Sequence, residues 1–328
     1  MSDAARTLSA VMESAEQTLR AGQSFSAQVW PTGFEPLDTY VGGGLRAGEL
    51  TLIGGPQGLG KTTFALQIAR NVAEGGKQAY FLCYEHTEQH LLERLIALEA
   101  ATIGGPDGIS LARVREGLSI ATSRGGGLAE RLTGVGHGMD AVASLAAFSD
   151  RLTLVRGAAT FDLDAVRALA VRAAADEAVL FVDYLQKVGV NTDHQGEAER
   201  VAMVVEALKD LALEHSIPVV AIVAADLDGL RDRRTRLHHL RGSSALAYEA
   251  DVILMLNDKF AVVARHHLVY DAPNADRFHQ YMIVTIEKNR SGLDNIDLQF
   301  RKEFTHSRFD PEGSAVVEQL IDERIYVE

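Results

Sequence analysis

Residues 52–65, LIGGPQGLGKTTFA, constrain this chain more than any other stretch. Within them Gly55, Pro56, Gln57, Gly58, Leu59, Gly60, Lys61 and Thr62 fit G-x-x-x-x-G-K-[ST], and Thr63 follows. Each residue type serves the same chemistry. Glycines let successive backbone N–H groups point into one anion-sized hollow. The lysine reaches the β- and γ-phosphates, and the threonine hydroxyl ligates Mg²⁺. A helix starting at Gly60 aims the positive end of its dipole at the same phosphates. The flanks agree with the motif. The apolar run at 49–54 reads as a buried strand, and residues 62–73 place Phe64, Leu66, Ile68, Ala69 and Val72 on an amphipathic helix. Strand, loop and helix in that order imply a bound nucleoside triphosphate.

The rest of the chain reads as further turns of the same α/β pattern. A strand at 78–84 ends at Glu85, and a helix follows over 88–98. A carboxylate at the carboxyl end of a strand beside the phosphate loop is placed for chemistry, although a helix-capping or solvated glutamate fits the same pattern. Residues 178–183, AVLFVD, form an apolar strand delivering Asp183 to its carboxyl end. This is the form of a Walker B element, whose aspartate orients Mg²⁺. Strands at 151–155, 217–223 and 252–256 alternate with helices at 161–175 and 197–214, and a strand-rich tail runs through Phe300. The expected fold is a mostly parallel central sheet flanked by helices, with antiparallel strands added on the C-terminal side.

Two segments stand apart. Residues 1–30 read as a helical arm and linker: Leu8, Val11, Met12, Ala15 and Leu19 recur at helical spacing. That stripe needs cover, either from the rest of its own chain or from a neighbouring subunit. Residues 102–150 carry glycine-rich loop signals at 104–108, 123–127 and 134–138, with short helices expected between mobile turns and no function assigned.

Composition removes several function classes. A formal charge of −13 weighs against broad, non-specific coating of nucleic acid, although a local basic surface remains compatible with it. The lone Cys83 excludes an internal disulfide, and no basic-then-apolar leader opens the sequence, so a cytoplasmic setting is expected. Eleven histidines lack metal-site spacing, which leaves nucleotide-bound Mg²⁺, held by Thr62 and Asp183, as the expected metal.

Five stretches together resemble the C-terminal motor domain of DnaB-like replicative helicases, a RecA-like P-loop ATPase. They are TGFEPLD at 32–38; YE at 84–85 with QHLLER at 89–94; VDYLQ at 182–186; EALKDLA at 206–212 with IPVVA at 217–221; and KNRSG at 288–292 with SRFD at 307–310. The resemblance implies a RecA-like ATPase domain over 31–328 that hydrolyses ATP with Mg²⁺. It implies Glu85 as the general base for the attacking water and Asp183 as the metal-holding acid. It also implies Lys288 and Arg290 as groups reaching the γ-phosphate on a neighbouring subunit, hence a homo-oligomeric ring, usually hexameric. Without the resemblance, Lys288 and Arg290 read as a solvated strand edge.

The basic segment with Arg231, Arg233, Arg234, Arg236 and Arg241 falls where that family places a DNA-binding loop, and RGSS at 241–244 is similar to the loop's end. An ordinary solvated loop is the alternative. Two departures accompany the resemblance. Only a short arm precedes the motor, where the family has a collar domain that contacts primase, so coupling to primase is not expected. Val223-Ala224 stands where the family has Ser-Gln, and an alanine cannot hydrogen-bond a γ-phosphate. The leading expectation is an ATP-driven ring helicase or translocase on single-stranded DNA. The competing one is a RecA-like ATPase switch or assembly scaffold that acts on protein partners without unwinding DNA.

Overall fold

The computed structural model describes residues 5–119, 126–158, 160–191, 196–270 and 275–321; Met1–Ala4 of the expected arm and Ser123–Gly125 of one expected loop lie outside them. In chain order the elements are α1 (Leu8–Arg20), β1 (Val29–Trp30), α2 (Glu35–Tyr40), β2 (Leu45–Arg46), β3 (Leu50–Gly55) and α3 (Lys61–Glu74). Next come β4 (Ala79–Cys83), α4 (Glu88–Gly104), α5 (Leu111–Ser119), α6 (Leu128–Arg131), α7 (Gly138–Ala146), β5 (Leu152–Arg156) and α8 (Leu163–Ala175). The remainder are β6 (Val179–Asp183), α9 (Glu197–His215), β7 (Val219–Ala224), α10 (Leu227–Arg231), α11 (Ala245–Glu249), β8 (Val252–Asp258), α12 (Lys259–Val262), α13 (Arg265–Tyr270), β9 (Tyr281–Asn289), β10 (Ile296–Glu303), β11 (Arg308–Phe309) and β12 (Ser314–Ala315).

Ten of the described strands form one sheet in the order β11-β10-β9-β8-β3-β7-β6-β4-β5, with β12 also on β10. The run from β8 to β5 is parallel, and β9 and β10 extend it antiparallel. The continuous apolar runs follow from this arrangement, because strands covered on both faces need apolar residues on both. Leu50 and Leu52 of β3 pack against α8 and α9, whereas Ile53 turns to the side of α3 and α4. Aromatic rings from distant segments close the second face: Phe34 lies 4.6 Å from Phe64 and 5.2 Å from Phe300.

The opening TGFEPLD stretch is a turn that runs into α2 and is held by that helix's own aspartate. Asp38 accepts hydrogen bonds from the N–H and hydroxyl of Thr32, at 2.9 and 2.7 Å, and from the N–H of Gly33. α1 buries none of its residues, and Leu8, Met12 and Leu19 are exposed. No helix among the described residues is long and apolar enough to cross a membrane.

The described residues of 102–150 are more ordered than their glycines suggest. α5 and α7 pack on α4 around Ile96, Ile109, Val114, Leu132 and Ala141, a satellite core beside the main one. A buried ion pair ties this module to the motor. Arg70 of α3 donates to both oxygens of Glu99 in α4, at 2.7 and 2.8 Å, and Ser144 of α7 donates to the same carboxylate at 2.7 Å. Removing one partner of such a pair strands the other charge in an apolar setting. Glu99→Ala is therefore expected to destabilise the protein by about 3–5 kcal/mol, read as a fall in the thermal or urea midpoint. Glu99→Gln, which keeps an acceptor for Ser144, should cost less.

Candidate active site

The parallel register assembles the site. Gly55 of β3 pairs with Ala224 of β7, and Cys83 of β4 pairs with Asp183 of β6, so four strands end at one edge of the sheet. The phosphate loop leaves β3 there and turns into α3. Gly60, at φ 82°, caps that helix in the left-handed region, and a Cβ on it would meet the rings of Phe304 and Phe309 at 2.9 Å. Glycine is needed twice over at this position, for its backbone angle and for space.

At the loop's exit the Thr62 hydroxyl donates to Asp183 Oδ2 at 2.8 Å, and the Cys83 thiol approaches the same oxygen at 3.4 Å. Asp183 is 1% exposed, and its second oxygen, Oδ1, is buried without a hydrogen-bond partner among the described residues. Burial raises the Asp183 carboxyl to about 6. A hydroxyl, a carboxylate with an unsatisfied buried oxygen and a loop built for phosphates are the donor set that a phosphate-bound Mg²⁺ takes, mostly through water. The residues fit that ion.

Lys61 folds over its own loop and donates to the carbonyls of Gly55 and Pro56, each at 2.8 Å. Burial lowers its pKa, and Asp183 and Glu85 oppose that shift. Glu85 lies at the open side with Lys61, Thr62 and Asp183, all lining one cleft of about 1140 Å³. Its carboxylate makes no hydrogen bond to the described residues. The same cleft runs on to Asp226 and Leu230 of the α10 segment, and to Arg241.

The structure divides the five arginines of the basic segment. Arg234 is 5% exposed and pairs with Asp297 at 2.6 Å, and Arg236 pairs with Glu287 at 2.9 Å. These two are committed to β9 and β10, which corrects the expectation that the whole set meets an incoming phosphate backbone. Pairing and burial win because both carboxylates lie on strands packed beneath the segment. Arg233 is exposed, Arg231 is exposed 3.7 Å from Asp228, and half-exposed Arg241 pairs with Glu197 at 2.8 Å.

Lys288 and Arg290 are not near the phosphate loop. Arg290 pairs with Asp251 at 3.1 Å, and Asp251 Oδ2 accepts from the N–H of Leu50 and from Lys209, both at 2.7 Å. Leu50 opens β3 and the loop leaves its other end, so Arg290 lies roughly 17 Å away along the strand. Lys288 donates to the carbonyls of Ala247 and Tyr248 on the same edge.

Several residues in or around the cleft were not singled out as site residues from the sequence. Phe304 is 41% exposed beside Gly60 and offers an aromatic face next to the loop. Gln67 of α3 clasps the backbone of Phe309, donating to its carbonyl and accepting from its N–H, both at 2.8 Å. Gln186 accepts from the N–H of Ala224 at 3.3 Å and donates to the carbonyl of Arg241 at 2.9 Å, which joins the Asp183 segment to the basic one. Only the QHLLER match could have pointed to Arg94, which also lines the cleft.

Comparison with known proteins agrees with this geometry. The family model for the DnaB-like helicase C terminal domain matches residues 30–310. The chain is 28% identical over 280 residues to the replicative DNA helicase DnaB of Treponema pallidum (strain Nichols), covering 84% of this chain and 54% of that protein. It is 29% identical over 234 residues to a probable plasmid replicative DNA helicase of Chlamydia psittaci, covering 70% and 46%. The chain thus spans about half the length of these curated relatives. In fold it is similar to a separately solved ATPase domain, with a TM-score of 0.70 at 17% identity over 93% of this chain and 98% of that one. A DnaB-like replicative helicase, solved in a study of its interactions with primase, superposes with a TM-score of 0.72 at 18% identity, over 92% and 68%. With a RecA-like sheet, a phosphate loop facing Asp183 and a family match over most of its length, this chain belongs to the DnaB-like helicase C-terminal domain family.

Proposed function

We propose that the chain is the ATP-hydrolysing motor of a DnaB-type ring, usually of six subunits, acting on single-stranded DNA as a helicase or translocase. The observation that carries this reading is the separation of Arg290 from its own phosphate loop. One chain holds a nucleotide site at the carboxyl edge of its sheet and an arginine–lysine pair at the amino edge; the two do not meet within the chain, which supports a site completed by a neighbour.

In this reading Lys61 exchanges the carbonyls of Gly55 and Pro56 for phosphate oxygens, and the N–H groups of the loop and the start of α3 cradle the chain of phosphates. Thr62 and Asp183 would hold Mg²⁺, which neutralises phosphate charge when bound. Phe304 supplies an aromatic face for the base. Glu85 takes the proton of the attacking water. A neighbour's Arg290, helped by Lys288, stabilises charge developing on the γ-phosphoryl group, an effect worth about 10³–10⁵ in rate for an arginine finger. Arg231, Arg233 and Arg241 are the cations left to meet a DNA backbone.

A second reading is an ATPase switch or scaffold for protein partners. The pairing of Arg234 and Arg236 favours it, because it reduces the positive surface the segment can offer.

Lys61→Ala is expected to abolish nucleotide binding, while Glu85→Gln binds ATP with near-normal affinity and hydrolyses it at least about 100-fold more slowly, of the order seen for loss of a general base. Isothermal titration and a phosphate-release assay would check both; full turnover by the Glu85 variant returns that residue to a capping or solvated role.

Mixing Arg290→Ala with Lys61→Ala protein should recover part of the missing hydrolysis, at interfaces joining an intact loop to an intact arginine. Full activity in a species whose mass by sedimentation is that of a monomer would defeat the trans assignment.

DNA binding separates the two function classes. Arg231→Ala with Arg233→Ala should weaken single-stranded DNA binding and flatten its log–log salt slope by about 0.7 for each phosphate that is no longer neutralised. Basal hydrolysis should change little. Failure of the assembled, ATP-loaded wild type to bind DNA at low salt would select the switch reading.

A further inference from the structure

Arg94 occupies a place that neither the phosphate loop nor the arginines of the other sheet edge explain. It lies on α4, the helix that begins directly after Glu85 and is capped by Thr87, whose hydroxyl accepts from the N–H of His90. His90 and Arg94, four residues apart, share one face of α4, and His86 lies just before the helix cap. The two imidazoles stack at 4.7 Å with their planes 6° apart.

Arg94 bridges two segments from the wall of the cleft. One guanidinium nitrogen, Nη1, donates to the hydroxyl of Thr63, which follows Thr62 on the phosphate-loop helix, at 3.2 Å. The other, Nη2, reaches Nε2 of His86, the residue after Glu85, at 3.5 Å. Burial and the guanidinium together hold His86 well below its usual value, at about 4. The neutral ring therefore accepts from an arginine that can only donate. Arg115 of α5 backs the stack from behind, donating to Nε2 of His90 at 2.9 Å while paired with Glu93 at 3.0 Å. The result is a continuous connection from Thr63 through Arg94 and the two histidines to α5. It contrasts with the Glu85 carboxylate, which has no hydrogen-bonding partner among the described residues.

We propose that Arg94 is a positioning residue for hydrolysis: it clamps the segment bearing Glu85 against the phosphate-loop helix and so fixes the distance between base and phosphate. The inference rests on Glu85 being the base. Arginine is required because its planar fork serves Thr63 and His86 at once, whereas a lysine ammonium on a flexible stem reaches one or the other. A displacement of about 1 Å in a catalytic group is enough to lower a rate by about 100-fold.

The test is a double-mutant cycle in the full chain, with kcat and KM for ATP, affinity for a fluorescent ATP analogue, and thermal midpoints. Arg94→Gln should lower kcat at least about tenfold, with nucleotide affinity changed less than about threefold, since the clamp acts on the barrier and not on ground-state binding. Arg94→Lys, which keeps charge and stem, should fold as wild type and show an intermediate kcat. In a Glu85→Gln background Arg94→Gln should add no further loss, because its effect passes through Glu85. Losses that multiply, or a raised KM at unchanged kcat, would overturn the clamp and make Arg94 a direct phosphate ligand. If Glu85→Gln is impaired while Arg94→Gln turns over normally, the clamp alone fails. If Glu85→Gln turns over normally, the base assignment fails first and takes the clamp with it.

Discussion

The register of the parallel strands is the constraint on which the other features depend. A one-residue slip in a strand moves every side chain to the opposite face. With β4 and β6 paired so that Cys83 faces Asp183, the thiol and the carboxylate meet, and the Thr62 hydroxyl reaches the same oxygen from α3. With β3 and β7 paired so that Gly55 faces Ala224, the loop and the start of the basic segment open into one cleft. Buried apolar side chains on both faces hold that register, so the precision of a polar site rests on an apolar core.

Charge in this protein is organised by pairing. Its acidic excess does not spread as a uniform field; carboxylates are placed under particular cations. Asp251 gathers Lys209, Arg290 and the N–H of Leu50 at one edge of the sheet. Glu99 gathers Arg70 and Ser144 beneath the helical module, and Asp297 and Glu287 hold Arg234 and Arg236. Each pair fixes where a long side chain lies, which is the use of a buried ion pair best supported by the geometry here. The consequence for function is a selective one. Buried cations such as Arg234 shape the segment around them, whereas Arg290 and Arg241, though paired, keep about half of their side chains exposed, and only exposed cations can exchange water for a phosphate.

The departure at Val223-Ala224 takes on a different meaning once the neighbouring segments are placed. Ala224 offers no side-chain donor to a nucleotide, yet its N–H is held by Gln186 and its carbonyl accepts from the N–H of Arg241 at 2.9 Å. Hydrogen bonds through the Gln186 amide and the Ala224 backbone therefore connect the Asp183 segment to the basic one.

Local rules were enough for much of this. The phosphate loop, the strands that end at Glu85 and Asp183, and the alternation of strands with helices were legible because glycine spacing and apolar runs report backbone geometry over a few residues. The resemblance in KNRSG suggested roles for Lys288 and Arg290 that spacing alone could not assign. What needed the tertiary structure was every relation between distant residues. The sequence presented Arg231, Arg233, Arg234, Arg236 and Arg241 as one basic run, and only packing against β9 and β10 separated buried pairs from surface cations. The glycines of 102–150 suggested mobile turns, whereas α5 and α7 found an apolar face on α4. Phe304, Gln67 and Arg94 act across long chain separations, for which a sequence carries no periodic signal. Local chemistry determined which groups this chain possesses; the register of one sheet decided which of them meet.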